Sequence, residues 1–142
     1  AMTVFAAGIP AFIKGMGGEA LVAEFATEGL SWGKFIVALS ISVMMNTFFA
    51  PVFMTFHKIT DAHIAENGGS LKALITPIDM RRQITSLNWD RQWSFIFKKT
   101  IPLFWYPAHT ITFMLPGELR VLFAALLGVA LGVILAIGAR KK

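Results

Sequence analysis

The stretch LRVLFAALLGVALGVILAIGA, residues 119–139, decides the fold class because it is long, apolar and nearly free of charge. Arg120 is its one charged residue. At 1.5 Å per residue, about 20 helical residues cross the roughly 30 Å hydrocarbon core of a bilayer. The stretch is followed by Arg140, Lys141 and Lys142, a basic run typical of the cytoplasmic end of a transmembrane helix. We therefore predict a transmembrane helix over 119–139.

The composition of the whole chain indicates the same environment. Of its 142 residues, 56% are hydrophobic and 15% are charged, against roughly 45–50% and about 25% in soluble domains. A water-soluble fold this short would leave much of its apolar surface in water, because small folds bury proportionally less area. We predict one all-α domain over residues 1–142, an integral membrane helical bundle. The absence of cysteine excludes a disulfide framework and a thiolate metal site.

Four further helical segments are predicted from hydrophobicity and spacing. Residues 33–56 form a second strong span, with Trp32 and Lys34 at one end and His57 and Lys58 at the other, as interfacial anchors should lie. Residues 93–115 contain a third helix, and residues 2–14 a short or truncated first helix. Residues 71–88 carry an apolar face at helical spacing, which predicts an amphipathic helix on the membrane surface. In total we expect three to four transmembrane or partly embedded helices plus one interfacial helix.

Positive charge is spread between and beyond these hydrophobic segments. The net charge of +5 would suit nucleic acid only if the basic residues gathered on one polar surface, which they do not. Anionic lipid headgroups are the predicted partners instead. If the last two spans form a hairpin, the positive-inside pattern places both termini in the cytoplasm. The pattern fits a bacterial inner membrane and an organelle membrane equally.

Polar side chains recur at about 100° per residue in two stripes, one on each of the middle spans. The first stripe comprises Ser42, Asn46, His57 and Asp61, and the second comprises Lys98, His109 and Thr112. Buried polar groups in lipid must find partners, so the two stripes are predicted to face each other or a wet cavity. One interpretation is a solute pathway lined by Ser42, Asn46, Lys98, His109 and Thr112. The other is ordinary hydrogen bonding between helices, worth about 0.6 kcal/mol per contact.

Prolines and small residues are predicted to shape the helices. Pro51 and Pro107 should kink the second and third spans and free backbone carbonyls toward the pathway. Small side chains recur every four residues on the last helix and leave a smooth face on which a neighbouring helix, from this chain or another copy, can pack. That face comprises Ala124, Gly128, Gly132 and Ala136.

His57 and Asp61 share a helix face, and His63 follows two residues later. These residue types could hold a divalent ion, but His63 points elsewhere on the helix and no fourth ligand is evident. We therefore interpret His57 and Asp61 as a solvated pair at an interfacial helix end, and we predict no metal site. Arg120 is likewise interpreted as an interfacial residue.

The segment WYPAHTITFMLPGELR, residues 105–120, resembles the signature of the Mpv-seventeen and peroxisomal-membrane-protein-twenty-two family. That signature has Trp-Pro, then Asn-Phe, then Pro followed four residues later by Arg. Here Tyr106 separates Trp from Pro, Thr112 stands in place of Asn, and the final Pro and Arg keep their interval. Ala50-Pro51 and FHKITD, residues 56–61, are similar to the family's Gly-Pro segment and to its aromatic pair ending in Leu-Asp. The hydrophobic segment with an Asp-Gln start between these blocks is missing.

The resemblance implies a small α-helical protein of mitochondrial inner, peroxisomal or other membranes. Pore-like permeability to solutes is proposed for such proteins, and no reaction is established. What carries over is a set of helix-shaping and interfacial positions, none of them catalytic: Pro51, Asp61, Trp105, Pro107, Pro116 and Arg120.

From the sequence we predict a small membrane channel or transporter-like protein for a polar or anionic solute, with Lys98 supplying a positive field. The alternative is a non-transporting scaffold that forms homo-oligomers through the small-residue face and binds lipids or partners. A third possibility is an intramembrane enzyme acting on lipids through His57, Asp61 and His63. No catalytic triad, phosphate-binding loop, HExxH pattern or dinucleotide fingerprint is present, so neither an enzyme nor a cofactor is predicted.

Overall fold

The computed structural model describes residues 2–139, with the backbone alone for Leu131 and for residues 134–139. The predicted basic stop at residues 140–142 and the side chain of Ala136 therefore lie outside the described residues. Within residues 2–139 the chain forms helices and turns and no strand, so the prediction of an all-α fold is confirmed.

The helices follow one another with short connections. They are α1 (Met2–Gly15), α2 (Glu19–Phe25), α3 (Trp32–Glu66), α4 (Lys72–Ile75), α5 (Met80–Ser86), α6 (Trp89–Arg91), a π-helix (Gln92–Trp105), α7 (Tyr106–Met114) and α8 (Gly117–Ala139).

The long helix α3 is the centre of the arrangement. It packs against α1, α2, α5, the π-helix and α7, and its contact with α7 is the most extensive. The apolar core lies along its first half, where Val37, Ile41 and Met45 meet Phe113 of α7. Partly buried side chains of α1 and α2, among them Phe5, close the core from the other side.

Helix α3 is longer than the predicted span 33–56. It runs through Pro51 without ending there and continues to Glu66, so that His57 and Asp61 lie on regular helix. Asn67 caps it, and the next two residues, Gly68 and Gly69, adopt a positive φ of 66° that other residues rarely adopt. The chain can therefore turn sharply at this point.

The segment 93–115, predicted as a helix, is helical up to Met114, but its first half is not an α-helix. Gln92–Trp105 forms a π-helix, and the α-helical part is confined to Tyr106–Met114. In a π-helix each N–H reaches the carbonyl five residues back, so the spiral is wider and each turn takes up more residues than in an α-helix. Pro102 lies inside this stretch and lacks the N–H that a regular helix needs. Side-chain directions calculated at 100° per residue therefore fail before Trp105.

The predicted helix over 71–88 is also divided. Thr76 has an extended conformation, with φ −88° and ψ 127°, because the ring of Pro77 disfavours helical geometry in the preceding residue. A new helix starts only at Met80, where the Asp79 carboxylate accepts a hydrogen bond from the Arg82 N–H at 3.0 Å. The amphipathic character survives in α4, whose Leu74 and Ile75 are at least 80% exposed.

Among the described residues, one helix is long and apolar enough to cross a membrane, namely α3 with 35 residues and a mean hydropathy of 1.9 in its best window. Less than half of that window, 39%, is buried inside the protein. The finer expectation of three to four spans stays a prediction, since the second half of α8 runs into the residues without described side chains.

The last two helices, α7 and α8, are joined through Leu115 and Pro116. Arg120 of α8 reaches back to the end of α7, where its guanidinium donates to the carbonyls of Leu115 at 2.9 Å and Phe113 at 3.1 Å. These carbonyls lie at the C-terminal end of α7, where the last carbonyl groups have no N–H partner within the helix. Arg120, predicted as an interfacial residue, thus caps one helix from the first turn of the next.

The junction of α2 and α3 is built around the carboxylate of Glu24. Its Oε2 accepts a hydrogen bond from the Gly33 N–H at 2.8 Å, close to the positive end of the α3 dipole. A Cβ at Gly33 would come within 2.5 Å of this oxygen, so the approach requires glycine. Lys34, expected at the interface, is instead buried, and its ammonium donates to the carbonyl of Thr27.

We expect acid to weaken this junction through Glu24. Hydrogen bonds from the Ser31 hydroxyl and the Gly33 N–H hold the pKa of the Glu24 carboxyl below its ordinary value of 4.5. A carboxyl whose pKa is lower in the folded state adds stability that is complete above the unfolded-state pKa and is lost as the pH falls through the folded-state pKa. Below pH 4.5 the free energy of unfolding in detergent should therefore drop less in Glu24→Gln than in the wild type.

Tryptophan fluorescence during denaturant titration at several pH values measures this difference. Glu28→Gln, which removes an exposed acid from the same connection, is the matched control and should keep the wild-type pH slope. Equal slopes for Glu24→Gln and the wild type would contradict the assignment.

Candidate functional site

A buried polar cluster joins α3 to α7. The Asn46 side chain is 2% exposed and lies with its amide atoms 2.9 Å and 3.0 Å from Nδ1 of His109. Its Nδ2 also donates to the carbonyl of Ser42 at 2.8 Å. With Nδ2 engaged there, Oδ1 accepts from His109 if the imidazole carries its proton on Nδ1, and this tautomer satisfies both side chains. Asn46 and His109 thus form a direct hydrogen bond between two helices.

The carbonyl of Tyr106 is the second meeting point of α3 and α7. It accepts hydrogen bonds from Ser42 Oγ and from Thr110 Oγ1, both at 2.7 Å. The Tyr106 hydroxyl in turn lies 2.7 Å from Thr47 Oγ1 on α3. Tyr106 is the first residue of α7, directly after the π-helix. Its carbonyl and its hydroxyl both bond to α3, so they hold the junction of the two helical forms against α3. The role of the Tyr106 carbonyl could not be predicted from the sequence, because side-chain periodicity does not indicate which backbone groups accept hydrogen bonds.

A cavity of about 180 Å³ adjoins the Asn46–His109 pair. Its remaining wall is largely apolar and comes from α3 and α1, including Phe49, Phe53 and Met2. Trp105 completes the wall and stacks on His109, with ring centroids 5.1 Å apart and an interplanar angle of 22°. Within residues 2–139 the buried Nε1 of Trp105 has no hydrogen-bond acceptor. The cavity is therefore lined by an amide, an imidazole and an indole ring on an otherwise apolar surface.

The structure brings together some of the predicted pathway residues and separates others. Ser42 and His109 are joined through Asn46, whose Nδ2 lies 3.3 Å from Ser42 Oγ and 2.9 Å from Nδ1 of His109. Thr112 is fully buried, but its hydroxyl donates to the carbonyl of Ala108 in its own helix at 2.9 Å. The placement of Lys98 on this face is wrong. Its side chain is exposed, and its ammonium lies 5.7 Å from the ring centroid of Trp93, because the π-helix rotates it away from the α-helical direction.

The two predicted kink positions differ in their surroundings. Pro51 lies within α3 and lines an apolar groove between α3 and α5. Pro107 is the second residue of α7, directly after the π-helix. The Tyr106 N–H bonds to the Ile101 carbonyl, so the helical run continues from the π-helix into α7, and the kink at Pro107 stays a prediction.

The polar residues at the end of α3 lie apart from this cluster. His57 and Asp61 are exposed, with 3.7 Å between Nδ1 and Oδ1, and His63 is buried with its Nε2 3.1 Å from the Ala73 carbonyl. Throughout the described part of the chain, no three histidine, aspartate or glutamate side chains converge to hold a metal ion. His63 therefore does not join His57 and Asp61 in one metal-binding group. An enzyme acting through these three residues stays a prediction.

The small-residue face of α8 is open along its described length. Gly128 and Gly132 are exposed, and a Cβ added to either would meet nothing within 4 Å. Ala124 is partly covered, and Ala136 falls outside the described side chains. Helix α8 packs chiefly against α7, so this face is available to a further helix.

No protein-family model, curated protein or solved structure matches this chain. The likeness of residues 105–120 to the Mpv-seventeen and peroxisomal-membrane-protein-twenty-two family stays a prediction.

The Asn46–His109 hydrogen bond should appear as a coupling energy in a double-mutant cycle. Asn46→Ala and His109→Ala each remove one partner, and we expect their effects on the free energy of unfolding to differ from additivity by about 0.6 kcal/mol, with ~1.7 kcal/mol as the upper end. Unfolding in mixed detergent micelles, followed by fluorescence, measures the four species. The control cycle pairs Ser40→Ala with His109→Ala, since Ser40 bonds only to the Ile36 carbonyl of its own helix. A coupling no larger than that of the control pair would contradict the assignment.

Proposed function

We propose that the chain is an integral membrane protein whose spans are α3, the π-helix together with α7, and α8, with α1 partly embedded. The main support is the uncovered apolar surface of α3, where Phe48 and Val52 are 63% and 69% exposed. A core helix of a soluble protein would be mostly buried, whereas α3 buries only 39% of its most apolar window. Acyl chains are the natural solvent for such a surface.

The connection after α3 supports a position at the membrane surface. Helix α4 presents Leu74 and Ile75 outward, while Lys72 and Arg81 lie on the same connection and are exposed. Apolar side chains beside exposed cations are the arrangement by which a peripheral helix contacts acyl chains and anionic headgroups together. On this proposal the two short helices α4 and α5 form the interfacial element.

Within this membrane bundle we propose the passage of a small polar solute along the contact between α3 and α7. The hydrogen bond of Asn46 with His109, in the wall of the 180 Å³ cavity, carries this proposal. Polar and ionisable side chains inside a membrane are costly and commonly mark solute pathways. Ser42 and Thr112 are both 0% exposed, so the described conformation is closed. Passage then requires α7 to move away from α3, breaking the bonds at Tyr106 and His109.

Of the polar and anionic solutes predicted from the sequence, the surroundings of the cavity favour a neutral polar one. Lys98, which was to supply the positive field, lies outside the cluster beside Trp93. The polar groups that remain are an amide, an imidazole and an indole N–H, which exchange hydrogen bonds without attracting charge. A void of about 150 Å³ accommodates a molecule the size of benzene, so the cavity suits a compact solute of similar size.

Solute efflux from reconstituted liposomes tests the pathway. Liposomes with inserted wild-type protein should lose small neutral polar solutes faster than empty liposomes. Asn46→Leu should slow that loss several-fold, because it removes the amide from the cavity wall while keeping a side chain of similar size. Ser40→Ala, which removes a hydroxyl from another face of α3, should leave efflux unchanged.

Two outcomes would contradict the pathway. The first is liposomes that stay tight with protein inserted in verified orientation and amount. The second is an efflux rate that Asn46→Leu and Ser40→Ala alter equally, since the solute would then not meet the Asn46 side chain.

A second function is favoured by the open face of α8, namely assembly of identical chains into a membrane scaffold. Helices in lipid associate by close packing, and small residues four positions apart allow their backbones to approach. Gly128 and Gly132 provide such a surface and have no neighbour in the described chain. A second copy presenting the same face would bury both.

Substitution of Gly132 tests this assembly. Gly132→Ile should shift the protein in detergent toward the monomer, because the added side chain separates the two backbones. Light scattering during size-exclusion chromatography measures the mass of the protein component. Val129→Ile changes an exposed neighbour on the same helix and should leave the mass unchanged. A wild-type protein that is monomeric at all concentrations would argue against assembly through α8.

A further inference from the structure

A second cavity, of about 290 Å³, lies between α3 and the start of the π-helix. Two basic side chains, Lys58 of α3 and Arg91 of α6, stand in its wall, and we call it the Lys58–Arg91 pocket. It shares only Met54 with the cavity beside Asn46. None of its other residues takes part in the proposed solute pathway.

The polar side of the pocket carries positive charge that the protein hardly neutralises. Among the described residues, no carboxylate lies within 4.0 Å of the Arg91 guanidinium. Lys58 has one acidic neighbour, Asp61, at 3.9 Å, and both side chains are about half exposed, so this ion pair is weak. Asn88 and Gln92 add amide groups to the same wall. The wall is therefore suited to an anion with several oxygen acceptors.

The rest of the pocket is apolar. Met54, Leu87, Phe95 and Ile96 line it, and Ile96 is buried. An inorganic anion would bind to Lys58 and Arg91 and leave the apolar side chains of the pocket without a partner. A molecule with an anionic head and a hydrocarbon chain would use both parts.

A larger apolar groove of about 390 Å³ adjoins the pocket. It is bounded by Phe56 and Ile59 of α3 and by Ile84 and Trp89 of the connection. Thr55 lines this groove, and its hydroxyl accepts a hydrogen bond at 3.3 Å from Gln92, which lines the pocket. The two hollows are therefore neighbours across this one hydrogen bond between α3 and the π-helix.

We propose that the Lys58–Arg91 pocket binds an anionic phospholipid. Its phosphate lies between the Lys58 ammonium and the Arg91 guanidinium, one acyl chain fills the pocket, and the other lies in the groove beside Thr55. Basic pockets next to membrane-spanning helices select anionic headgroups in this way. The inference rests on the proposed membrane embedding but not on solute passage.

Native mass spectrometry of the full chain in a non-ionic detergent tests the site. We expect phosphatidylglycerol to bind with defined stoichiometry and more tightly than phosphatidylcholine with the same acyl chains. Arg91→Gln should lower the affinity for phosphatidylglycerol about fivefold, the effect of one basic residue at a lipid surface. Lys14→Gln removes an exposed cation from α1, outside the pocket and outside the connection after α3, and is the matched control. Lys58→Gln, compared with the same control, repeats the test on α3.

Further measurements test whether the acyl chain occupies the pocket and whether the charges in its wall select the lipid. Leu87→Trp should weaken lipid binding with both cations intact, because the indole occupies the acyl chain's space. Glycerol phosphate, which has the head without the chains, should not compete at equal concentration. Equal losses for Arg91→Gln and Lys14→Gln, or no preference for the anionic lipid, would overturn the site. Resistance of the protein to alkaline extraction from membranes separates this failure from failure of the embedding itself.

Discussion

Ser42 and Asn46 lie on the same face of α3 and are almost wholly buried, so each must find its hydrogen-bond partner inside the protein. Both find it on α7, in the Tyr106 carbonyl and the His109 ring. An unpaired buried amide or hydroxyl would cost more than the net worth of the bond, so sliding α7 along α3 is disfavoured. This fixed register lets Phe113 reach the apolar core formed by Val37 and Ile41. The packing of α1 and α2 then follows, because they cover the same core.

The parts of the fold that could be predicted are those that depend on local pattern. Hydrophobic runs identified the helical segments. Spacing at 100° per residue placed Asn46 and His109 on facing polar stripes, which holds because both residues lie on regular α-helix. The same spacing gave the wrong direction for the Lys98 side chain, because Lys98 lies in the π-helix, where the angle between successive residues is smaller. No local pattern in the sequence indicates the change from α-helix to π-helix.

Other features depend on partners far away in the chain and could not be predicted. The Tyr106 carbonyl is a backbone group, whose acceptor role is invisible in side-chain types. Glu66 accepts from Arg82 at 2.6 Å and from Gln83 at 2.8 Å, a contact that exists only because Pro77 redirects the chain after α4. A basic residue close to Trp32 predicts an interfacial anchor at Lys34. Lys34 is instead buried and donates to the Thr27 carbonyl, a contact that depends on the path of the loop between α2 and α3.

Arg120 completes the end of α7 from the first turn of α8. The ribosome makes the chain from its N-terminus, so every residue of the contact between α3 and α7 exists before Arg120 is made. Until then the carbonyls of Phe113 and Leu115 lack the donors that Arg120 provides. The contact between α3 and α7 can therefore form before α8 exists, whereas the C-terminal end of α7 is completed only with the first turn of α8.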